Sequence, residues 1–314
     1  MGFDQVRWVW MNGSIVPWKD ATVHVSAHAL HYGSGVFEGI RCYDTEGGPS
    51  VFRLHEHMQR LFASAKFYDM EIPYTVEQLE QAIGELISRN EFRSCYVRPL
   101  CIRGSRELRV NPGNCPVEVA ILTWAWGRYL GAEGGPPGVR ICVSPWKKFH
   151  PQMMPTTAKA CGQYINSVLA GQDAARRGFD EALLLNMEGN IAEGAGENIF
   201  VVRNGRIFTN EGQDSILLGV TRDAVIQIAR DLGYPLETRS LALDELLSAD
   251  EAFFTGTAVE VAAIREVDGK QIGDAVPGPI TKKIQEVFAG VTSGRETKYS
   301  RWLQPVTMPQ LKTR

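Results

Sequence analysis

Residues 181–209 run Glu181-Ala-Leu-Leu-Leu-Asn186-Met-Glu-Gly-Asn-Ile-Ala-Glu193-Gly-Ala-Gly-Glu197-Asn198-Ile-Phe-Val-Val-Arg203-Asn204-Gly205-Arg-Ile-Phe-Thr209. The apolar runs 181–186 and 198–203 have the length and residue types of buried strands. Asn204-Gly205 supplies the positive φ of a two-residue turn, which folds the second run back along 206–209. A strand returning through a tight turn, with no helix between, marks an antiparallel pairing.

The pattern extends outward in both directions. Downstream, helix 221–232 and a short helix near 243–248 are followed by strands 250–255, 261–267 and 270–272, the last two around Asp268-Gly269. Helix 278–289 then precedes a polar tail. Upstream, 139–145 reads as a strand and 158–177 as one long helix. Near the start, Trp8-Val-Trp-Met11 and Ser14-Ile-Val16 flank Asn12-Gly13, another hairpin signal. Strands are expected at 35–43, 51–53, 94–103 and 117–125, and helices at 54–67 and 76–89. Thr75-Val-Glu-Gln78 forms a capping box at the start of the second helix. The Gly/Pro cluster 126–138 separates a smaller N-terminal domain, 1–125, from a larger one, 139–314. Helices and strands come in runs rather than in strict alternation, so the expected class is α+β with antiparallel or mixed sheets, not a doubly wound nucleotide fold.

The 314 residues are 44% hydrophobic and 22% charged, with net charge −3. Such a balance suits a sizeable core and argues against a nucleic-acid partner. No apolar run reaches membrane-spanning length, and Met-Gly-Phe-Asp-Gln-Val-Arg has no signal-like apolar core. Six cysteines (42, 95, 101, 115, 142 and 161) stand singly, without metal-ligand spacing, and read as reduced thiols of a cytoplasmic protein. His55 and His57 lack a third ligand, so no metal is expected.

Chemistry-bearing residues concentrate in the second half. Lys159, in Met154-Pro-Thr-Thr-Ala-Lys159-Ala-Cys-Gly-Gln-Tyr164, lies among small and apolar neighbours with no acid beside it. A lysine in such surroundings sheds its proton and becomes a nucleophile for carbonyl groups. Glu193 has small neighbours on both sides. It reads either as a solvated loop acid or as a carboxylate facing a protonated heterocyclic nitrogen. Leu218-Gly-Val-Thr221-Arg222 opens a helix, as an anion site at its N–H groups or simply as a Thr-capped terminus. Thr255-Gly256-Thr257-Ala258 is a second small hydroxyl-bearing turn of the same kind.

In order and spacing these motifs resemble the class IV, fold type IV aminotransferases, which use pyridoxal 5′-phosphate; Glu-x-x-x-x-Asn-x-Phe is the most specific of them. The likeness runs from Trp10-Asn-Gly to about residue 290. Tyr32-Gly-Ser-Gly-Val-Phe37-Glu38-Gly39-Ile-Arg41, His57-Met-Gln-Arg60-Leu and Tyr96-Val-Arg98-Pro99 narrow it to the branched-chain amino acid aminotransferases. The resemblance implies a two-domain fold and ping-pong transamination of L-leucine, L-isoleucine and L-valine with 2-oxoglutarate. It makes Lys159 the Schiff-base lysine and proton shuttle. Arg60, Tyr164, Glu193, Gly219, Val220, Thr221, Gly256 and Thr257 would hold the cofactor. Tyr32, Phe37, Gly39, Tyr96, Arg98, Val110, Trp126, Tyr129, Thr257 and Ala258 would hold the substrate.

It further implies a homodimer or higher homo-oligomer, with a pocket shared across the subunit interface. One stretch departs from the pattern. Gly104-Ser-Arg106-Glu-Leu-Arg109-Val110-Asn-Pro carries two arginines where common bacterial relatives have a glycine-rich loop. D-amino acids or (R)-amines as substrates, or a lyase of the same fold, are therefore the alternatives to weigh.

Overall fold

A computed structural model describes residues 2–127, 130 and 137–308. The chain forms two compact units. One comprises residues 1–127, 158–162 and 290–314, the other 128–157 and 163–289.

The first unit is built on an eight-stranded sheet with every pairing antiparallel. Its order is Leu303–Pro305, Gly48–Phe52, Ile40–Thr45, Cys95–Arg103, Val117–Trp124, Trp8–Met11 and Ser14–Pro17, with Gly35–Phe37 also pairing on Cys95–Arg103. The expected strand 35–43 is thus two strands, broken at Glu38-Gly39. Glu38 N–H is donated out of the ladder geometry to Pro99 O, at 2.9 Å. The polar tail is also different from expectation. It turns through Thr297–Trp302 and adds Leu303–Pro305 as an edge strand, with Tyr299 and Trp302 buried and stacked at 4.5 Å. Two large aromatic rings supply the apolar area that the tail's composition hides.

Besides the short helix His28–Tyr32, this unit has two longer ones, Leu54–Lys66 and Val76–Arg89, the second with its Thr75/Gln78 capping box formed. On the first, buried positions recur at 54, 57, 58, 61, 64 and 65, a helical stripe that faces the core. Two members of that stripe, His57 and Ser64, are polar. Buried polar side chains cost free energy unless bonded, so their partners matter.

The second unit carries a mixed nine-stranded sheet. Its order is Ile191–Gly194, Glu181–Leu185, Val139–Val143, Glu260–Val267, Glu251–Gly256, Asn198–Arg203, Arg206–Thr209 and Leu236–Thr238, with Lys270–Gln271 on the side of Glu260–Val267. The hairpin at Asn204-Gly205 pairs Arg203 with Arg206, as its turn residues require. Phe200 and Phe253 stack at 5.0 Å across neighbouring strands, and both are fully buried. Helix Tyr164–Arg176 lays Ala170 and Ala174 on Ala182 and Leu184. The α+β class with antiparallel and mixed sheets is therefore as expected.

The expected helix 158–177 begins instead at Tyr164, after a short 3-10 turn at Cys161–Gln163. Residues before it are extended. Ala160 bridges Val36, Phe37 N–H donates to Lys159 O at 3.0 Å, and Gly162 N–H donates to Gly33 O at 3.1 Å. Gly33 must be glycine, since it has φ +64° and a Cβ there would lie 2.7 Å from Gly162 Cα. Tertiary pairing overrides the helical pattern, and it holds Lys159 on a sheet edge rather than on a helix.

Candidate active site

In the first unit the extended segment fixes Lys159 from both sides, since its N–H donates to Ser64 Oγ at 2.9 Å. Its amine lies 4.9 Å from the centre of the Phe37 ring. Burial pushes the amine down to about 8, helped by the Arg60 and Arg98 charges and opposed by Glu38 and Tyr96. An acid does therefore act on Lys159, one that the sequence places far away. A lysine of this kind is still mostly protonated at pH 7 but offers a neutral, reactive fraction far larger than that of an ordinary lysine.

Glu38 is fully buried. Arg60 donates from Nε to Oε1 at 2.7 Å and from a terminal nitrogen to Oε2 at 2.9 Å, a two-pronged charged contact. His57 Nδ1 lies 2.7 Å from Oε2 and, against an ionised carboxylate, must carry the proton. Gly39 N–H adds a fourth contact at 3.2 Å. Burial alone would raise the Glu38 carboxyl, yet the Arg60 and His57 partners hold it well below the usual range. Burial in turn lowers His57, against the pull of Glu38. Positions 57, 60 and 64 share one side of their helix, so His57, Arg60 and Ser64 serve one place.

Arg98 lies in an aromatic cage, its guanidinium carbon 4.7 Å from the Phe37 ring centre, 5.3 Å from Tyr96 and 5.7 Å from Trp124. It donates to Tyr96 Oη at 3.4 Å, while its buried Nε has no hydrogen-bond partner. The Trp126 ring packs tilted against Tyr96, with centres 4.3 Å apart. Gly39 is required there, because a Cβ would fall 1.9 Å from Tyr96 Oη. Phe37, Gly39, Tyr96, Arg98 and Trp126 thus come together. Tyr32 and Val110 do not join them within the chain, being 45% and 80% exposed. The loop bearing Val110 is tethered to helix His28–Tyr32: Tyr32 Oη donates to Leu108 O at 3.2 Å, and His28 Nε2 lies 2.7 Å from Arg109 O. Tyr129 lies outside the described residues.

In the second unit Glu193 sits on strand Ile191–Gly194, buried, not in a solvated loop. Lys148 Nζ is 2.6 Å from its Oε1. Its Oε2 accepts from Asn198 Nδ2 at 3.3 Å and from Leu217 N–H at 3.0 Å. Asn198 also donates to Leu217 O at 2.8 Å, so one amide binds the acid to the loop that starts the next helix. That explains the five-residue spacing of Glu193 and Asn198.

Helix Val220–Asp231 is capped by Gly219, not by Thr221, and no side chain caps its first N–H groups. A Cβ at 219 would meet Asn198 Oδ1 at 2.1 Å, so the cradle admits only glycine. Thr221 is buried in that first turn. Such a terminus binds anions through its N–H groups and dipole. Thr257, Ala258 and Val259 form the tight turn joining Glu251–Gly256 to Glu260–Val267, beside the buried and unpartnered Thr255 hydroxyl. Tyr164 is the first residue of its helix and is half-buried.

Glu38, His57, Ser64, Trp124 and Lys148 were not expected as site residues. Polar side chains at 57 and 64 on an otherwise apolar stripe were the available signal for two of them; Lys148 left none.

The family model for amino-transferase class IV matches residues 35–267. This chain belongs to that family. It is 45% identical over 300 residues to the branched-chain-amino-acid aminotransferase of Salmonella typhimurium, covering 95% of this chain and 97% of the relative. The crystal structure of the Escherichia coli branched-chain amino acid aminotransferase superposes with TM-score 0.94 at 44% identity, over 96% and 100% of the two chains. A T.th. branched-chain amino acid aminotransferase complexed with N-(5′-phosphopyridoxyl)-L-glutamate gives TM-score 0.92 at 45% identity, over 96% and 99%.

Proposed function

We propose that this chain transfers the amino group of L-leucine, L-isoleucine and L-valine to 2-oxoglutarate, giving branched-chain 2-oxo acids and L-glutamate, with pyridoxal 5′-phosphate as cofactor. The observation that carries this is a lysine whose amine is lowered to about 8 and lies beside Arg60 and the Arg98 cage. The relatives bear the same activity in their names, and one is seen with a phosphopyridoxyl-glutamate.

The donor set fits the cofactor. Lys159 is the amine that bonds it. Within the first unit Arg60 is a cation of the kind that suits a phosphate; within the second, the Gly219-Val220-Thr221 terminus and the Gly256-Thr257 turn each offer N–H groups of the same use. Glu193 suits the ring nitrogen and Tyr164 the ring hydroxyl. When bound, the group supplies an electron sink for the carbanion left at the substrate's α-carbon.

The protein's own residues do the rest. Lys159, in its neutral form, would be the group that takes and holds the proton from the substrate's α-carbon. Glu193 favours the charged form of any heterocyclic nitrogen set against it. Phe37, Tyr96 and Trp126 form an apolar wall, which separates leucine, isoleucine and valine by only about 1–3 kcal/mol per methylene. Arg98 gives glutamate's distal carboxylate its partner on that same wall, and its unpartnered Nε is a donor in want of an acceptor. N–H groups of the Thr257-Ala258 turn would take the α-carboxylate. Amino donor and 2-oxo acceptor use one pocket in turn, which is ping-pong kinetics.

Tyr32 and Val110, exposed yet held by the loop tether, suit a dimer in which each chain completes its partner's pocket. Among the described residues no helix is long and apolar enough to cross a membrane, and a cytoplasmic home is our reading of the single cysteines. Mixing the holoenzyme with L-leucine, L-glutamate, D-alanine and (R)-1-phenylethylamine tests the assignment. L-leucine and L-glutamate should bleach the cofactor's yellow absorbance. Bleaching by D-alanine and not by L-leucine would overturn it.

A further inference from the structure

The ion pair of Lys148 with Glu193 is unusual for its cost. Both residues are buried, and taking two charges out of water costs several kcal/mol per ion before their attraction is counted. Apolar replacements of such pairs are often neutral or stabilising, so stability alone is weak grounds for a buried lysine here. Lys148 makes no other ion pair among the described residues; its amine otherwise lies 4.9 Å from the Phe149 ring centre. Its backbone is fixed by donation to Leu185 O at 2.8 Å.

A carboxylate offers about four acceptor positions. Glu193 fills three, with Lys148 Nζ, Asn198 Nδ2 and Leu217 N–H. One position is left for a further donor. That donor would meet a carboxylate already aimed by three contacts, with a cation 2.6 Å from Oε1 cancelling much of its charge.

We propose that Lys148 is a positioning residue that aims the Glu193 carboxylate at the cofactor's ring nitrogen and weakens its pull on the ring proton. The proposal rests on the assignment of Glu193 to that nitrogen. Lys148 touches neither substrate nor cofactor; it acts through Glu193. The consequence is a graded electron sink. With the lysine present, the ring nitrogen shares a carboxylate whose charge is partly spent. Without it, the carboxylate is fully available and the nitrogen keeps its proton to higher pH.

The test is the ¹⁵N chemical shift of ring-labelled pyridoxal 5′-phosphate in the intact holoenzyme, followed with pH. Lys148→Met and Lys148→Gln should each move the midpoint of ring-nitrogen deprotonation upward by about one unit or more, while Lys148→Arg stays near the parent. Should Lys148→Met not fold, Lys148→Gln, which keeps a polar group of similar length, carries the measurement. Unchanged midpoints in the folded neutral variants would overturn the proposal, because a lysine that only fills space would not move a ring-nitrogen signal. Glu193→Gln separates the two assignments. If it leaves the signal unmoved, the assignment of Glu193 fails; if it moves the signal while the Lys148 variants do not, only the role of Lys148 fails.

Discussion

Glu38 and Glu193 are both buried carboxylates paired with a cation, but one is fully enclosed among four donors and the other is held by three. Glu38 receives four contacts, two from Arg60, one from His57 and one from Gly39 N–H. Glu193 receives three, from Lys148, Asn198 and Leu217 N–H. Oε1 of each acid takes a single donor, but Glu38 is 0% exposed and closed to a ligand, whereas Glu193, at 6%, keeps room for one more donor. The roles within each pair are therefore inverted. In the first unit the carboxylate is the support and the cations near Lys159 are the working groups. In the second the cation is the support and the carboxylate works.

Variants at the reacting lysine should show the largest effect. Lys159→Ala removes both the bonding amine and the proton carrier, so turnover of L-leucine should fall by a factor on the order of 10⁴ or more, read in a coupled assay. The two acids should then separate cleanly. Glu38→Gln removes the fully buried charge that Arg60 and His57 both meet and should lower unfolding stability by about 3–5 kcal/mol in urea titrations. Glu193→Gln likewise strands a buried charge, that of Lys148, so its stability cost should be of the same order, but it should reduce kcat far more than Glu38→Gln does. Equal losses of kcat for the two would erase the distinction between support and working group.

Arg98→Met should sort the two half-reactions. With the cage left apolar, bleaching by L-leucine should persist, while the KM for 2-oxoglutarate rises about 10–100-fold, the worth of a lost charged contact. A matched loss for both substrates would remove Arg98 from side-chain recognition. The last effect concerns pH. Lys159 titrates at about 8 in the folded protein against an ordinary 10.5. Between those values the unfolded chain holds a proton that the folded one lacks, so stability of the cofactor-free protein should rise with pH across that window. Below pH 8 the penalty is fully present. Lys159→Met should flatten that rise in thermal melts between pH 8 and 10.

Local chemistry was legible where one motif contains its own partners. The Asn204-Gly205 hairpin, the Thr75 capping box and the small residues at 219 and 256 follow from backbone conformation or close approach, which neighbouring residues report. Glu193 was legible as an acid among small residues, but Lys148 lies 45 positions earlier in a segment without periodicity, and only folding joins them. The helix expected from 158 failed for the same reason. Its apolar pattern is real from 164 onward, but 158–162 is claimed by the sheet edge at Val36 and Phe37. Arg60 was legible as a cation on a helix; that Glu38 holds it was not, since the contact joins a strand break to a helix face.

The amine of residue 159 is the group on which every proposed step depends. Reducing the yellow holoenzyme with borohydride and mapping the labelled peptide asks directly which lysine bears the cofactor. One phosphopyridoxyl group per chain, on the peptide containing Ala158-Lys159-Ala160, is the expected result. A label on Lys148 or any other lysine, or none at all, would contradict it.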